Sequence, residues 1–142
     1  MHSATPPIPS LPPSRAARWT SFGMQGLATL FLAADSIAKL VVSPEILQAD
    51  SNLGFPNESI PLVGVIGLVC LVAYLIPRTS VLGAVLWTGY LGGAIAIHVR
   101  VGNPLATHTL FPVYIAILLW GALWLRDERV RALIPLRMPK SG

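Results

Sequence analysis

Five ionisable side chains stand within or at the ends of long apolar runs of this 142-residue chain: Asp35, Lys39, His98, Arg100 and His108. Asp35 and Lys39 are spaced i, i+4 with the acid first, the order that favours an ion pair on one helix face. A charged residue inside a membrane span costs about 2.5–3.5 kcal/mol on insertion scales, so it usually has a partner or a function. The sequence leaves two alternatives open for this pair. Either Asp35 faces the bundle interior as a functional group held by Lys39, Arg100 or His98, or the pair only fixes helix register.

Spacing and residue count disfavour metal and thiol chemistry. His98, His108 and Asp35 are ligand types that zinc or iron accept, but no spacing such as H-x-x-x-H or E-x-x-H supports a metal site, and we predict none. Cys70 is the single cysteine, so neither an intramolecular disulfide nor a C-x-x-C redox pair is expected. The two histidines are more typical of amphipathic side chains at a membrane interface.

Four apolar runs must position these side chains. Hydrophobic residues make up 54% of the chain and charged residues 11%, against about 25% charged in a soluble domain. Each run can cross a hydrocarbon core of about 30 Å as a helix, and backbone groups in lipid must find their partners internally. We therefore predict an all-α, antiparallel four-helix transmembrane bundle in a domain over residues 19–125, with spans at about 19–42, 60–76, 79–98 and 108–125.

The remaining segments are predicted to lie in water. Residues 1–18 are proline-rich and are expected to form a disordered tail, 43–59 read as an acidic, turn-rich loop, and 126–142 as a basic tail. Lys and Arg concentrate on the side of the two tails, which by the positive-inside rule predicts a cell-membrane protein with both termini cytoplasmic. Because basic residues lie at the ends of apolar runs, we expect contact with lipid and no nucleic-acid binding.

This orientation brings the five ionisable side chains to one level, because the first and third spans end there and the fourth begins there. We therefore predict a polar cluster of all five at the outer face of the bundle. The third span also carries small residues in its second half, and these let membrane helices approach closely. We expect them to pack against neighbouring spans, with a homodimer face as the alternative: Gly89, Gly92, Gly93 and Ala96.

The segment from Tyr74 to Arg100, the start of the fourth span (HTLFP, 108–112) and the Asp35-x-x-x-Lys39 pair resemble the DoxX-like family of small four-span membrane proteins. The resemblance extends from Phe22 to Arg137. Many family members carry an acidic residue near position 67, where this chain has Gly67. That departure disfavours a mechanism that needs two carboxylates within the membrane.

The resemblance implies a function in membrane redox chemistry, since relatives form a subunit of a thiosulfate:quinone oxidoreductase. We expect a subunit or accessory factor of a membrane-associated, quinone-linked redox system, with quinone as the candidate cofactor and a membrane protein as the candidate partner. Whether the chain is itself an enzyme stays open. The alternative is a small proton-coupled carrier or exporter that uses Asp35 as its protonatable group.

Overall fold

A computed structural model of the protein describes residues 12–134, and this part of the chain is helical without any strand. Its α-helices are α1 (Arg15–Val41), α2 (Pro44–Asn52), α3 (Ile60–Leu75), α4 (Ser80–Arg100), α5 (Phe111–Arg126) and α6 (Glu128–Leu133). A 3₁₀ turn over Asn57–Ser59 leads into α3, and a π-helical turn over Leu105–Thr109 precedes α5.

Within residues 12–134, four helical stretches are long and apolar enough to cross a membrane: Arg15–Val41, Asn57–Leu75, Ser80–Arg100 and Leu105–Arg126. They form a ring in which α1 packs on α3 and α5, and α4 packs on α3 and α5. Neighbours in the ring are antiparallel, since contacts pair the start of one helix with the end of the next. The predicted four-helix transmembrane bundle is thereby confirmed.

Local sequence explains where the spans begin and end. Pro61 and Pro112 stand in the first turns of α3 and α5, where a missing N–H removes no intrahelical bond. Between α3 and α4 the chain reverses within four residues, and the Thr79 hydroxyl donates to the Ala73 carbonyl at 2.8 Å. Gly83 then lies directly against the backbone of Ala73 and Tyr74, so the two helices touch with no side chain between them.

The buried core occupies the half of the bundle that holds the α3–α4 turn. Trp87 and Tyr74 are fully buried there, and the Tyr74 hydroxyl crosses the bundle to donate to the Leu119 carbonyl at 3.0 Å. The Ser21 hydroxyl likewise donates to the Ala122 carbonyl at 2.7 Å and joins α1 to α5. Large apolar side chains cover the outside of the bundle, as expected for a surface that faces lipid.

The structure differs from the predicted boundaries at the ends of the spans. Helix α1 begins at Arg15, inside the segment 1–18 expected to be a disordered tail. The Ser14 hydroxyl accepts from the Ala17 amide at 3.1 Å and caps this start, a feature that outweighs the prolines before it. Segment 126–142 contains α6, and the rest of the two predicted tails, 1–11 and 135–142, lies outside the described residues.

Candidate functional site

A cavity of about 410 Å³ lies between the four spans at the end of the bundle where α2 crosses. Ligand pockets for small molecules typically enclose about 300–1,000 Å³, so this cavity can hold a ring-sized head group. Most of its wall is apolar and comes from all four spans, while the segment that includes α2 adds Leu53 and Phe55. Its polar side chains are few: Asp35, Lys39, Asp50, Tyr90 and His98.

Asp35 and Lys39 form the ion pair that their spacing predicts. Lys39 Nζ lies 2.6 Å from Asp35 Oδ1, with side chains 14% and 33% exposed respectively. Both residues line the cavity. The pair is therefore part of the cavity wall, and one of its carboxylate oxygens already has a charged partner.

Asp50 of α2 supplies a second carboxylate to the same cavity. Its side chain accepts no hydrogen bond and forms no ion pair within residues 12–134. Burial raises the pKa of Asp50 above its ordinary value, the nearby charge of Lys39 lowers it in part, and that of Asp35 raises it further. By contrast, the pKa of the exposed Glu45 on the same helix is lowered by hydrogen bonds from its own backbone and Ser43.

Helix α2 forms because the segment between the first two spans contains residues that favour the N-terminus of a helix. Ser43 caps the helix, accepting from the Ile46 amide at 3.4 Å, and Pro44 and Glu45 follow in the first turn. The prediction of an irregular loop over 43–59 is therefore wrong in this part. Sequence reasoning missed Asp50 for the same reason, although the Ser-Pro-Glu pattern is a recognisable start signature.

Arg100 lies outside the cavity and supports the segment that closes it. Its guanidinium donates to the Leu53 carbonyl at 2.7 Å and packs against Gly54. Gly54 adopts φ +85°, and a Cβ there would collide with the guanidinium. Arg100 therefore holds the end of α2 in position through Leu53, while its charge does not face the cavity.

The two histidines lie near each other at this end of the bundle, but only His98 lines the cavity. His98 lines the cavity, and its Nδ1 lies 2.8 Å from the amide nitrogen of Asn103. With the Asn103 amide assigned in this orientation its nitrogen donates, so a neutral His98 accepts at Nδ1 and carries its proton on Nε2. His108 is exposed outside the cavity, beside the Thr107 hydroxyl, with its ring centroid 6.0 Å from that of His98.

Aromatic rings form part of the cavity wall, which is otherwise mostly aliphatic. Phe31 of α1 and Phe111 of α5 meet edge to face at 4.9 Å, and Tyr90 of α4 packs against Trp87 at the same distance. The Tyr90 hydroxyl has no hydrogen-bond partner in the described part of the chain. It is thus a free donor at the cavity, and sequence reasoning missed it because a tyrosine among apolar residues carries no spacing signature.

The small residues of α4 leave open space beside them. A Cβ at Gly89, Gly92 or Gly93 would meet no atom within 4 Å. The other spans therefore do not pack closely against α4 at these glycines, contrary to the prediction. Instead, tight contacts occur at Gly67, against Ser36, and at Gly83. Of the four small residues predicted to pack, Gly93 lines the cavity and Ala96 lies beside Arg100.

The site can bind a small molecule that is mostly apolar and has a polar end. Lys39, Tyr90 and His98 offer hydrogen-bond donors, while Asp50 offers an acceptor. Among residues 12–134, no three side chains of His, Cys, Asp or Glu come together as they would around a metal ion.

The profile of the DoxX-like family matches residues 23–122, which is more than half of the chain and includes every polar side chain of the cavity. The chain belongs to the DoxX-like family. The resemblance drawn from the sequence is thereby confirmed. No curated protein and no solved structure matches this DoxX-like chain.

Proposed function

We propose that this DoxX-like protein is a subunit or accessory factor of a membrane-associated redox system, and that its cavity binds a quinone head group. The observation that carries the proposal is a mostly apolar cavity between the four spans, lined by Tyr90 and His98, whose hydroxyl and Nε2 have no hydrogen-bond partner within residues 12–134. The cell membrane is the proposed location, with both termini in the cytoplasm. In the described residues, the end of the bundle opposite α2 carries most of the arginines: Arg15, Arg18, Arg78, Arg126, Arg129 and Arg131.

The residues present fit a quinone. Its ring is apolar and flat, matching the aromatic wall, and its carbonyl oxygens accept hydrogen bonds from groups such as the Tyr90 hydroxyl and His98 Nε2. Phe31, Ile66 and Phe111 line the cavity and are 40%, 46% and 37% exposed, so these side chains do not seal it. A bound quinone supplies two-electron, two-proton chemistry, and the role of this chain is to bind and orient it.

Replacing Tyr90 by phenylalanine is expected to weaken quinone binding about 2- to 13-fold, since one hydrogen bond is worth about 0.5–1.5 kcal/mol. The measurement is equilibrium partitioning of decylubiquinone into nanodiscs with and without the protein. Tyr114→Phe is the matched control, because Tyr114 is an exposed tyrosine of α5 outside the cavity. Equal affinities of the two variants, or no saturable binding by the wild type, would contradict the quinone site.

The alternative function, a proton-coupled carrier, ranks second because Asp35 is held in an ion pair with Lys39. A carrier that couples transport to Asp35 must protonate and release this carboxylate in each cycle, which requires breaking its 2.6 Å contact with Lys39. A binding site for a neutral head group leaves the pair intact. Transport driven by a pH gradient that disappears in Asp35→Asn would reverse this ranking.

A partner subunit is the other part of the proposal, and the open space beside Gly89 and Gly92 supports it. We expect Gly89→Leu to stay folded and to lose a membrane protein that co-purifies with the wild type in mild detergent. Ile117→Phe, a bulky change at an exposed position of α5, is the control and should keep the partner. Loss with both variants, or with neither, would argue against this face; a second copy of the chain would appear as a homodimer.

A further inference from the structure

Asp50 is a carboxylate of the cavity that forms no side-chain hydrogen bond or ion pair within residues 12–134, so it offers the site an acceptor beside its donors. Asp35 is engaged by Lys39 at 2.6 Å, whereas the Asp50 side chain has no hydrogen bond or ion pair within residues 12–134. It lines the cavity from α2 and is half-buried, so it retains only part of its hydration. A partly desolvated acceptor without a hydrogen-bond donor costs free energy that a donating ligand would recover.

The charges around Asp50 disfavour an anionic head group in the cavity. The titratable side chains that share the cavity with it are Asp35 and Lys39 of α1 and Tyr90 and His98 of α4. The cavity walls from α3 and α5 carry no titratable side chain: Val63, Ile66, Phe111, Pro112 and Ile115. Two carboxylates stand against one ammonium, so an anionic head group would be repelled.

We propose that Asp50 accepts a hydrogen bond from a hydroxyl of the bound head group, so that the cavity binds the reduced quinol more tightly than the quinone. This inference rests on the proposed quinone site and adds the form of the ligand it selects. A quinol hydroxyl donates to the carboxylate and replaces its lost water. A quinone carbonyl has no proton to donate, so the oxidised form leaves Asp50 desolvated and unpaired.

The preference should depend on pH in a defined direction. Burial and Asp35 raise the pKa of Asp50 above its ordinary value, against the opposing charge of Lys39. Below that pKa the neutral acid is a weaker acceptor and can itself donate to a quinone carbonyl. Quinol affinity therefore rises with pH as Asp50 ionises, and the preference for quinol over quinone falls again on acidification.

The experiment compares decylubiquinol and decylubiquinone in the same nanodisc partitioning assay, with the full-length protein between about pH 4 and pH 7, where carboxyl groups titrate. We expect the wild type to bind the quinol about 10-fold more tightly at the upper pH, from the strength of a charge-assisted hydrogen bond. Asp50→Asn should lose most of this preference and its pH dependence, and Asp50→Glu should recover part of it. Glu45→Gln, an exposed acid on the same helix, is the matched control and should behave as the wild type.

The possible results separate the two proposals. Equal affinity for quinol and quinone, or a quinol preference that persists in Asp50→Asn, overturns the role of Asp50 and leaves the quinone site standing. Saturable binding of neither form overturns both. Circular dichroism of each variant shows whether the bundle is intact, and the Asp50→Glu variant keeps the test decisive if the amide variant does not fold.

Discussion

Replacing Gly83 by leucine is expected to prevent the four spans from assembling into the native bundle. A Cβ at this position would overlap the backbone of Ala73 and Tyr74, and backbone cannot rotate away as a flexible side chain can. Overpacking a core with side-chain neighbours costs about 1–3 kcal/mol, so we expect a loss of more than about 3 kcal/mol in the free energy of unfolding here. Separation of α3 from α4 would also displace the buried Trp87 and Tyr74.

The measurement is thermal unfolding in nanodiscs, followed by circular dichroism, together with the monodisperse fraction on size exclusion. Gly89→Leu is the matched control on the same helix, since a Cβ there meets nothing within 4 Å. This variant should unfold within about 0.5 kcal/mol of the wild type, as surface substitutions usually do. Similar destabilisation at both positions would show that the contact with α3 does not decide the outcome, because leucine has a higher helix propensity than glycine and does not itself weaken the helix.

The four-helix bundle could be predicted from the sequence, but the closest contacts between its helices could not. Membrane spans follow from run length and the need to satisfy backbone groups, both of which are local properties. Which glycine touches a neighbour depends on how two helices are rotated about their axes, a relation between distant segments. The sequence predicted packing at Gly89, Gly92, Gly93 and Ala96, whereas close contacts between spans occur at Gly64, Gly67 and Gly83.

Part of the candidate site could be predicted in the same way. Helix direction brought Asp35, Lys39 and His98 to the level of the cavity, and all three line it. The same argument included Arg100 and His108, which stand at that level but outside the cavity. The depth of a residue in the bundle follows from its position in the sequence. The direction in which its side chain points around the helix axis depends on how the neighbouring helices pack.

The second carboxylate of the site comes from a place that the sequence did not indicate. Gly67 made a mechanism with two carboxylates in the membrane seem disfavoured, and a side chain there would indeed collide with Ser36. The structure instead brings Asp50 to Asp35 from outside the spans, on the short helix α2. Acidic partners in small membrane bundles can thus come from loop helices that hydropathy does not detect.

Replacing Lys39 alone by methionine is expected to destabilise the protein. Replacing Asp35 as well is expected to restore most of the lost stability. Exposed ion pairs contribute about 0.2–1 kcal/mol and broken buried pairs cost about 3–5 kcal/mol. Lys39 is 14% exposed and Asp35 33%, so we expect Lys39→Met to lower the free energy of unfolding by about 2 kcal/mol. The double variant Asp35→Asn, Lys39→Met removes both charges and should regain most of that loss.

The loss should also depend on pH, because Lys39 lowers the pKa of Asp50. Without Lys39 this pKa rises further, and a carboxyl whose folded pKa is raised contributes stability that is present in acid and is lost as pH rises through that pKa. Lys39→Met should therefore approach wild-type stability near about pH 4 and fall behind it toward pH 7, where carboxylates are ionised. Additive effects in the double variant, or a loss independent of pH, would mean that Lys39 acts through packing of its methylene chain and not through its charge.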